Sequence, residues 1–288
     1  MSTQSTRRGR FRAALTAAVI GGVAAAITLT GCGAGGDGAG GDQSLQRVLD
    51  AGTVNMGACL TQPPWGSIAA DGTPEGFDVD LSQSLADFLG VKLELHEVTG
   101  AGRVPALQTG QDDVMACTFT ITDERKKQVD FANPTIAAGT SLLVTKGSDI
   151  TTVADLSGRK VGVTKGGTAE VLVAKLNPDA DLMQFEVPSA LFLALEQGQV
   201  EAVVDVASTI TAEAEKNPNF QIALDGEVGD KTYFALGVAK GNDALLEKVN
   251  EFIAKFHESG EDLELYRKWF DREPTFEFID LPDTVNVD

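Results

Sequence analysis

The segment Asp113-Val-Met-Ala-Cys-Thr-Phe-Thr-Ile-Thr-Asp-Glu-Arg125 decides both the fold and the place where a ligand would bind. Its apolar start predicts a buried strand, and a threonine-rich turn then leads into a short helix. Ligands of open α/β sheets bind at the edge where parallel strands end. Thr118 and Thr120 lie at that edge, and Arg125 follows at a distance that lets its guanidinium fold back over the turn. We expect a carboxylate held there by charge-assisted hydrogen bonds of roughly 1.5–3 kcal/mol each. The alternative is a solvated charged surface at residues 123–127.

Short apolar strands alternate with amphipathic helices on both sides of this segment. Up to its end, the pattern predicts strands at 54–57, 91–97 and 113–117 and helices at 78–89 and 103–109. Beyond it, the pattern predicts strands at 141–145, 160–163, 183–185, 201–204 and 233–239, and helices at 168–176, 189–197, 208–216, 243–258 and 261–270. We interpret Asp78 as the N-cap of its helix rather than as an acid–base partner of Asp80. A repeated β-α-β order indicates parallel sheets covered by helices.

Because the pattern occurs twice, we predict an α/β protein with two lobes, each a mostly parallel sheet flanked by helices. Extended segments near residues 139–146 and 228–237 are the expected crossovers and hinges. Lobe one is assigned to residues 44–141 and 232–288, and lobe two to residues 142–231.

The N-terminus differs from the rest of the chain. Four arginines precede the uncharged run of residues 13–29, and Leu29-Thr30-Gly31-Cys32 follows. A basic stretch, an apolar stretch and small residues predict a signal peptide over residues 1–31, by either the general or the twin-arginine route. The last four residues look like a bacterial lipobox, in which the Cys32 thiol is acylated. Residues 32–43, rich in glycine, predict a flexible tether, so we expect a lipid-anchored protein on the extracytoplasmic face of the cell membrane.

Charge and composition exclude several other functions. The chain has 23 basic and 42 acidic residues, and removal of the predicted signal leaves 19 basic ones. Such an acidic protein does not suit nucleic acid. We find no phosphate loop and no catalytic triad, and His96 and His257 have no second ligand at metal spacing. We therefore predict no catalytic residues, no cofactor and no metal.

Two further cysteines, Cys59 and Cys117, each lie at the end of a predicted strand. An even pair in an exported chain favours a disulfide. Two buried free thiols are the alternative.

Several motifs together resemble the solute-binding protein family 3 of bacterial ABC importers, the polar amino-acid receptors. Their order and spacing are specific, and they cover roughly residues 45–272. They comprise Pro63-Pro64-Trp65, Gly76-Phe-Asp-Val-Asp-Leu81, Leu107-Gln-Thr-Gly110, Thr118-Phe-Thr-Ile-Thr-Asp-Glu-Arg125, Val129-Asp-Phe-Ala-Asn-Pro134, Asp155-Leu-Ser-Gly-Arg-Lys-Val-Gly-Val163, Gly166-Gly-Thr168, Ala194-Leu-Glu-Gln-Gly198 and Lys268-Trp269.

The resemblance implies a periplasmic-binding-protein fold with two hinges and a ligand between the lobes. It implies that Arg125, Thr120 and the helix start at Thr168 hold an α-carboxylate, and that Thr118 faces the ammonium. The family's ammonium-binding aspartate is matched here only by Asp205, one position early. Since adjacent strand residues face opposite sides, this shift turns the carboxylate away unless the strand has already ended.

Two more features depart from the family's pattern, namely the residue at position 62 and the cysteine pair. Gln62 stands where many members have an aromatic residue over the ligand side chain. Trp65 either replaces that aromatic residue in part or belongs to the core. Cys59 and Cys117 map to the cleft edge.

We therefore expect a monomeric receptor that closes on a polar amino acid or a similar carboxylate-bearing solute and delivers it to ABC permease subunits. Two alternatives stay open. One is an exported enzyme on the same fold, such as a cleft dehydratase, and the other is a solute sensor that reports to a signalling partner.

Overall fold

The computed structural model describes residues 42–223, 228–273 and 281. The predicted signal peptide, Cys32 and the tether as far as residue 41 lie outside this range. Asp42, at the end of the predicted tether, accepts hydrogen bonds from the Ser44 backbone N–H (2.7 Å) and from the Ala244 backbone N–H. The body of the protein therefore already includes this residue.

The first α/β unit has the predicted alternation of helices and strands. Its elements are α1 (Ser44–Ala51), β1 (Thr53–Ala58), β2 (Ser67–Ile68), β3 (Pro74–Glu75), α2 (Phe77–Leu89), β4 (Lys92–Glu97), α3 (Arg103–Thr109), β5 (Val114–Ala116) and α4 (Asp123–Lys126). Strand β1 pairs in parallel with β4 and with β5. The carboxyl ends of these strands therefore meet at one edge, where the threonine-rich turn begins.

The remaining elements build the second unit and the return to the first. They are β6 (Val129–Thr145), β7 (Lys160–Thr164), α5 (Thr168–Leu176), β8 (Asp181–Phe185), α6 (Pro188–Glu196), β9 (Ala202–Val206), α7 (Ala207–Lys216), β10 (Phe220–Ile222), β11 (Val228–Ala239), α8 (Asp243–Ser259) and α9 (Glu261–Phe270). Strand β7 pairs in parallel with β8 and with β9. Each lobe thus has its own parallel strands, as predicted; the residues that bound the two lobes remain a prediction.

Strands β6 and β11 join the two parallel sets. They pair with each other in antiparallel register, from Val129 opposite Ala239 to Thr140 opposite Val228. The last part of β6 then pairs with β9 of lobe two. The sequence predicted a strand only from residue 141, and the structure begins it at Val129. The structure accommodates Pro134, which has no N–H to donate, next to an irregularity in the pairing with β11.

The two lobes have separate cores. In lobe one, helices α2 and α8 pack on the sheet through residues that include Phe77, Leu85 and Phe252. In lobe two, aliphatic residues such as Val161 and Val204 fill one face of the sheet, and Leu191 and Ile210 belong to the cluster on the other. Among the described residues, no helix is both long enough and apolar enough to cross a membrane.

The start of helix α2 corrects one prediction. The helix begins at Phe77, and its N-cap is Gly76, so Asp78 already lies inside the first turn. A side chain at position 76 would lie 2.3 Å from the Trp65 carbonyl oxygen, and Gly76 has a φ of 135°. Only glycine fits such a close approach with that backbone conformation. The Asp78 carboxylate is therefore free for a role other than capping.

Candidate ligand-binding site

A cavity lies between the two lobes, at the edge where their parallel strands end. Threonines supply much of its polar surface: Thr61, Thr99, Thr118 and Thr120 from lobe one, and Thr164 and Thr168 from lobe two. Hydroxyl groups both donate and accept hydrogen bonds. The cavity is therefore suited to a small polar molecule rather than to an apolar one.

The threonine-rich turn has the compact form that the sequence predicted. Thr118 has a left-handed φ of 40°, and its carbonyl accepts a hydrogen bond from the Thr120 N–H (2.9 Å). The Thr122 hydroxyl accepts from the Arg125 N–H (3.2 Å) and caps the short helix α4. This cap starts the helix that directs Arg125 back over the turn.

Arg125 lies across this turn, beside the cavity. Its Nη1 donates to the Thr120 carbonyl (2.6 Å), and its Nη2 donates to the carbonyl of Gly166 in lobe two (2.8 Å). The guanidinium lies over the Phe119 ring, 5.3 Å from its centre. Burial lowers the pKa of Arg125 to about 10, so the group stays positively charged at neutral pH. Arg125 is half-buried, whereas Asp123, Glu124 and Lys127 of the same charged run are exposed.

Arg103 is a cavity residue that the sequence did not single out. It is 4% exposed and donates to four carbonyl groups. They belong to Gly100 (2.8 Å), Cys117 (3.0 Å), Thr118 (3.0 Å) and Gly166 (2.8 Å). Burial, together with the nearby charge of Arg125, lowers the pKa of Arg103 well below its usual value. A cation at the start of the apolar helix 103–109, directly after a strand and Gly100, was the available signal.

The start of helix α5 faces the cavity from lobe two. Gly167, Thr168 and Ala169 line it. The first backbone N–H groups of a helix have no partner within the helix and carry partial positive charge, which favours an anion. The structure thus brings Thr168 to the same cavity as Thr118 and Thr120, as predicted.

The lobes approach each other closely beside this helix start. A Cβ atom at Gly166 would lie 2.8 Å from the Cα of Ala101, and one at Gly100 would lie 2.9 Å from the Lys165 carbonyl. Further hydrogen bonds across the cleft run from Gln62 Nε2 to Thr209 Oγ1 (3.3 Å) and from Trp65 Nε1 to Ser208 Oγ (3.0 Å). The structure therefore has the lobes in direct contact.

Asp205 lines the cavity although it stands one position early. Strand β9 extends to Val206, two residues beyond its predicted end. The Asp205 carboxylate accepts from the Thr164 hydroxyl (2.5 Å) and from the Val206 N–H (2.7 Å). Burial raises the pKa of this carboxyl group. The displacement therefore does not turn the carboxylate away from the cavity.

Gln62 and Trp65 are placed differently. Gln62 lines the cavity, and its Oε1 accepts from the Thr118 hydroxyl (3.3 Å). The Trp65 ring is 2% exposed and packs edge-on against Phe77, Phe234 and Phe270. The structure thus puts Trp65 in the core of lobe one, where its apolar ring is shielded from water, and not in the cavity lining.

Cys59 and Cys117 form a disulfide within lobe one, next to the cavity. It joins the loop after β1 to the turn after β5. Within the described ranges, no group of three or more potential ligands could hold a metal ion.

Taken together, the cavity is lined by the Arg103 guanidinium and by the carboxylates of Asp205 and Glu186, and the Arg125 guanidinium lies beside it. Two guanidinium groups and a helix N-terminus suit an anionic group, and Asp205 suits a cationic one. A zwitterion carries both charges within a few bonds, so this arrangement is complementary to an amino acid.

Comparisons with known proteins agree with this geometry. The model of the bacterial extracellular solute-binding proteins, family 3, matches residues 54–272. The ABC transporter glutamine-binding protein of Bacillus subtilis is 37% identical over 209 residues, which cover 71% of this chain and 76% of that protein. The L-cystine-binding protein of Escherichia coli K12 is 32% identical over 233 residues, covering 80% and 87%.

A solved structure extends the likeness to the fold. The ancestral amino acid-binding protein AncCDT-1, a precursor of cyclohexadienyl dehydratase, superimposes with a TM-score of 0.73 at 31% identity, covering 79% of this chain and 99% of that one. The curated relatives are transport binding proteins, which does not favour the enzyme alternative. This chain belongs to the bacterial extracellular solute-binding proteins of family 3.

Proposed function

We propose that this protein is the extracytoplasmic, lipid-anchored substrate-binding subunit of an ABC importer for a polar amino acid or a similar carboxylate-bearing solute. The observation that carries the proposal is a cavity between the lobes that Arg103, the α5 helix start and Asp205 line, with Arg125 beside it and hydrogen-bonded to Gly166. Relatives named for glutamine and cystine binding support an amino acid as the solute.

Each end of the zwitterion has a proposed partner. The α-carboxylate binds the Arg125 guanidinium, aided by Thr120 and by the backbone N–H groups at the start of α5. The ammonium binds Asp205 and the oxygen atoms of Thr118. The ligand side chain then lies toward Gln62, which presents an amide to the cavity and therefore favours a polar group there.

Binding proceeds by hinge closure. Lobe one offers Arg125 and the threonine turn, and rotation about the two crossover strands β6 and β11 brings Thr168 and Asp205 to the ligand. Closure excludes water and strengthens each polar contact by lowering the local dielectric. The permease then distinguishes the closed shape from the open one.

A thermal-shift screen of the common L-amino acids, with L-cystine and simple monocarboxylates, tests the ligand class. A ligand that binds only the folded protein raises its melting temperature. We expect at least one amino acid to do so and its amine-free or carboxylate-free analogue not to. If no amino acid shifts the melting temperature, or if an acid is converted to product, the proposal is wrong.

The anchor needs its own test, because Cys32 lies outside the described residues. In cells that make the full chain, radiolabelled palmitate is expected to label the protein and the protein to sediment with membranes. Cys32→Ser is expected to abolish both. An unlabelled, fully released wild-type protein would contradict the anchor and leave the ligand assignment untouched.

A further inference from the structure

Asp78 is a buried acidic residue that the proposed ligand contacts do not use. It is 6% exposed in the first turn of α2 and does not line the cavity. Its Oδ2 accepts a hydrogen bond from the Thr118 N–H at 2.8 Å. A buried carboxylate is costly unless it is paired or hydrogen-bonded, so the hydrogen-bond partner of Asp78 indicates the role of this residue.

The partner is one end of a single peptide group. The Thr118 N–H and the Cys117 carbonyl belong to the same amide, and Arg103 Nη1 donates to that carbonyl at 3.0 Å. A carboxylate on the N–H and a guanidinium on the carbonyl act in the same direction on the amide dipole. Arg103 also donates to the Thr118 carbonyl at 3.0 Å, so both peptide groups that flank Thr118 are held.

These hydrogen bonds hold Thr118, whose backbone conformation is unfavourable. Thr118 has a φ of 40°, a left-handed conformation that is unfavourable for a residue with a branched side chain. The hydrogen bonds to the two flanking peptide groups hold Thr118 in that conformation, and its side chain lines the cavity. We propose that Asp78 is a positioning residue of the ligand site: together with Arg103 it clamps the Cys117–Thr118 peptide group and thereby presents Thr118 to the ligand. This inference rests on the proposed function for its ligand but on the geometry for the clamp.

The clamp should depend on pH. Burial raises the pKa of Asp78 to about 7, against the opposing effects of the Thr118 N–H bond and of Arg103. Arg103 on α3 is the charged group that acts on Asp78 from a neighbouring element among the described residues, and Arg125 and Asp205 act on Arg103 in turn. Protonation removes the charge on Asp78 and weakens its bond to Thr118, because charge-assisted bonds are stronger than neutral ones.

Affinity and stability should then change in opposite directions. Since the pKa of Asp78 is higher in the folded protein than in the unfolded chain, the folded state binds more protons between about pH 4 and pH 7. The stability of the ligand-free protein therefore falls as the pH rises through that window. Affinity instead rises, because the clamp needs the ionised carboxylate. A residue with only a structural role would not separate the two.

The test is a calorimetric titration from about pH 6 to pH 8 with L-glutamine, L-arginine and L-cystine as probes. Wild-type affinity is expected to be about tenfold lower at pH 6 than at pH 8, since about a tenth of Asp78 is ionised one unit below a pKa of about 7. Asp78→Asn is expected to bind about tenfold more weakly at pH 8, to show little further loss at pH 6, and to melt no lower than wild type at pH 8. Asp80→Asn is the matched control, because Asp80 lies on the same helix and binds Lys268 and Trp269 instead; it should behave as wild type. An Asp78→Asn variant with wild-type affinity and pH profile overturns the proposal.

Hydrogen exchange of the Thr118 amide in the ligand-free protein gives a second readout. The exchange rate is expected to increase from wild type to Asp78→Asn, which keeps a neutral acceptor, and further to Asp78→Ala, which has none. Asp80→Asn should leave it unchanged. Unchanged exchange in both Asp78 variants overturns the clamp. If none of the probes binds wild type, the proposed function fails, while the exchange series still decides the role of Asp78.

Discussion

Lobe one and lobe two contribute different kinds of group to the same cavity. Lobe one supplies both guanidinium groups, the disulfide and the clamped turn at Thr118. Lobe two supplies the Gly166 carbonyl, the start of α5 with Thr168, the Thr164 hydroxyl and the carboxylates of Asp205 and Glu186. The two guanidinium groups of lobe one bond to carbonyl groups of their own lobe and also to the Gly166 carbonyl of lobe two, so they link the two halves of the site.

The hydrophobic cores of the two lobes also differ in the kind of residue that fills them. Trp65 in lobe one packs edge-on against three phenylalanine rings at 5.0–5.4 Å, a geometry that favours one fixed arrangement. The core of lobe two consists largely of valine, leucine, isoleucine and alanine.

The largest effect should come from the guanidinium on lobe one. Arg125→Ala removes a pair of charge-assisted hydrogen bonds of roughly 1.5–3 kcal/mol each, which corresponds to at least about a 100-fold loss of affinity. Titration calorimetry measures the loss, and the melting temperature without ligand checks the fold. Arg159→Ala, in the exposed ion pairs of lobe two with Asp149 and Glu201, is the matched control and should bind normally. If the Arg125→Ala variant binds with the same affinity as wild type, the guanidinium of lobe one does not hold the ligand.

Removal of the disulfide should weaken lobe one selectively. Cys59 and Cys117 are 58 residues apart in sequence, and closing such a loop stabilises the fold by about 4 kcal/mol in the chain-entropy model. The double variant Cys59→Ser/Cys117→Ser is expected to unfold at a lower denaturant concentration. Hydrogen exchange by mass spectrometry should increase mainly in lobe-one peptides. Equal loss of protection in both lobes would indicate that they unfold as one unit.

A third prediction concerns the carboxylate of lobe two. Asp205→Asn is expected to weaken amino-acid binding about 10- to 100-fold, the equivalent of one charge-assisted bond. Because burial raises the pKa of Asp205, its ionised form costs stability, and this cost grows as the pH rises above the value for an unfolded aspartate. The ligand-free variant should therefore melt at or above the wild-type temperature at about pH 8 and show less decline with rising pH. A variant that is both less stable and fully active would contradict the assignment.

The smallest effect tests the closure contact itself. Gly166→Ala places a methyl group against the Ala101 backbone, so we expect roughly tenfold weaker binding. Gly198→Ala in the same lobe is matched for backbone strain, since φ is 71° at Gly166 and 68° at Gly198, but it has nothing within 4 Å of the added atom. The left-handed backbone should cost both variants a similar stability of roughly 1–2 kcal/mol, and only Gly166→Ala should lose affinity. Equal affinities would mean that this contact is not needed for closure.

Much of the fold could be predicted from periodicity, because amphipathic helices and buried strands have their own patterns. The helices at 103–109, 168–176 and 261–270 have the predicted bounds. The first half of β6 was missed because Pro134 argues against a strand, and only its place in the sheet shows that it is tolerated.

Residue spacing alone could predict only those parts of the site that lie within one short segment of the chain. Thr118, Thr120 and Arg125 belong to one turn, so their spacing was informative. Arg103 was missed because its four carbonyl partners come from separate parts of the chain. Asp78 was interpreted as a cap for the same reason: its partner Thr118 is forty residues away in sequence.

The carbonyl of Gly166 accepts hydrogen bonds from both Arg103 and Arg125. A carboxylate that arrives at Arg125 must therefore compete with an acceptor that the protein carries itself. Binding at this point replaces a neutral carbonyl oxygen by a charged carboxylate oxygen, and the charged acceptor forms the stronger bond to the guanidinium. Under the proposed function, departure of the ligand returns Arg125 to the Gly166 carbonyl, so the guanidinium regains a hydrogen-bond partner as the ligand leaves.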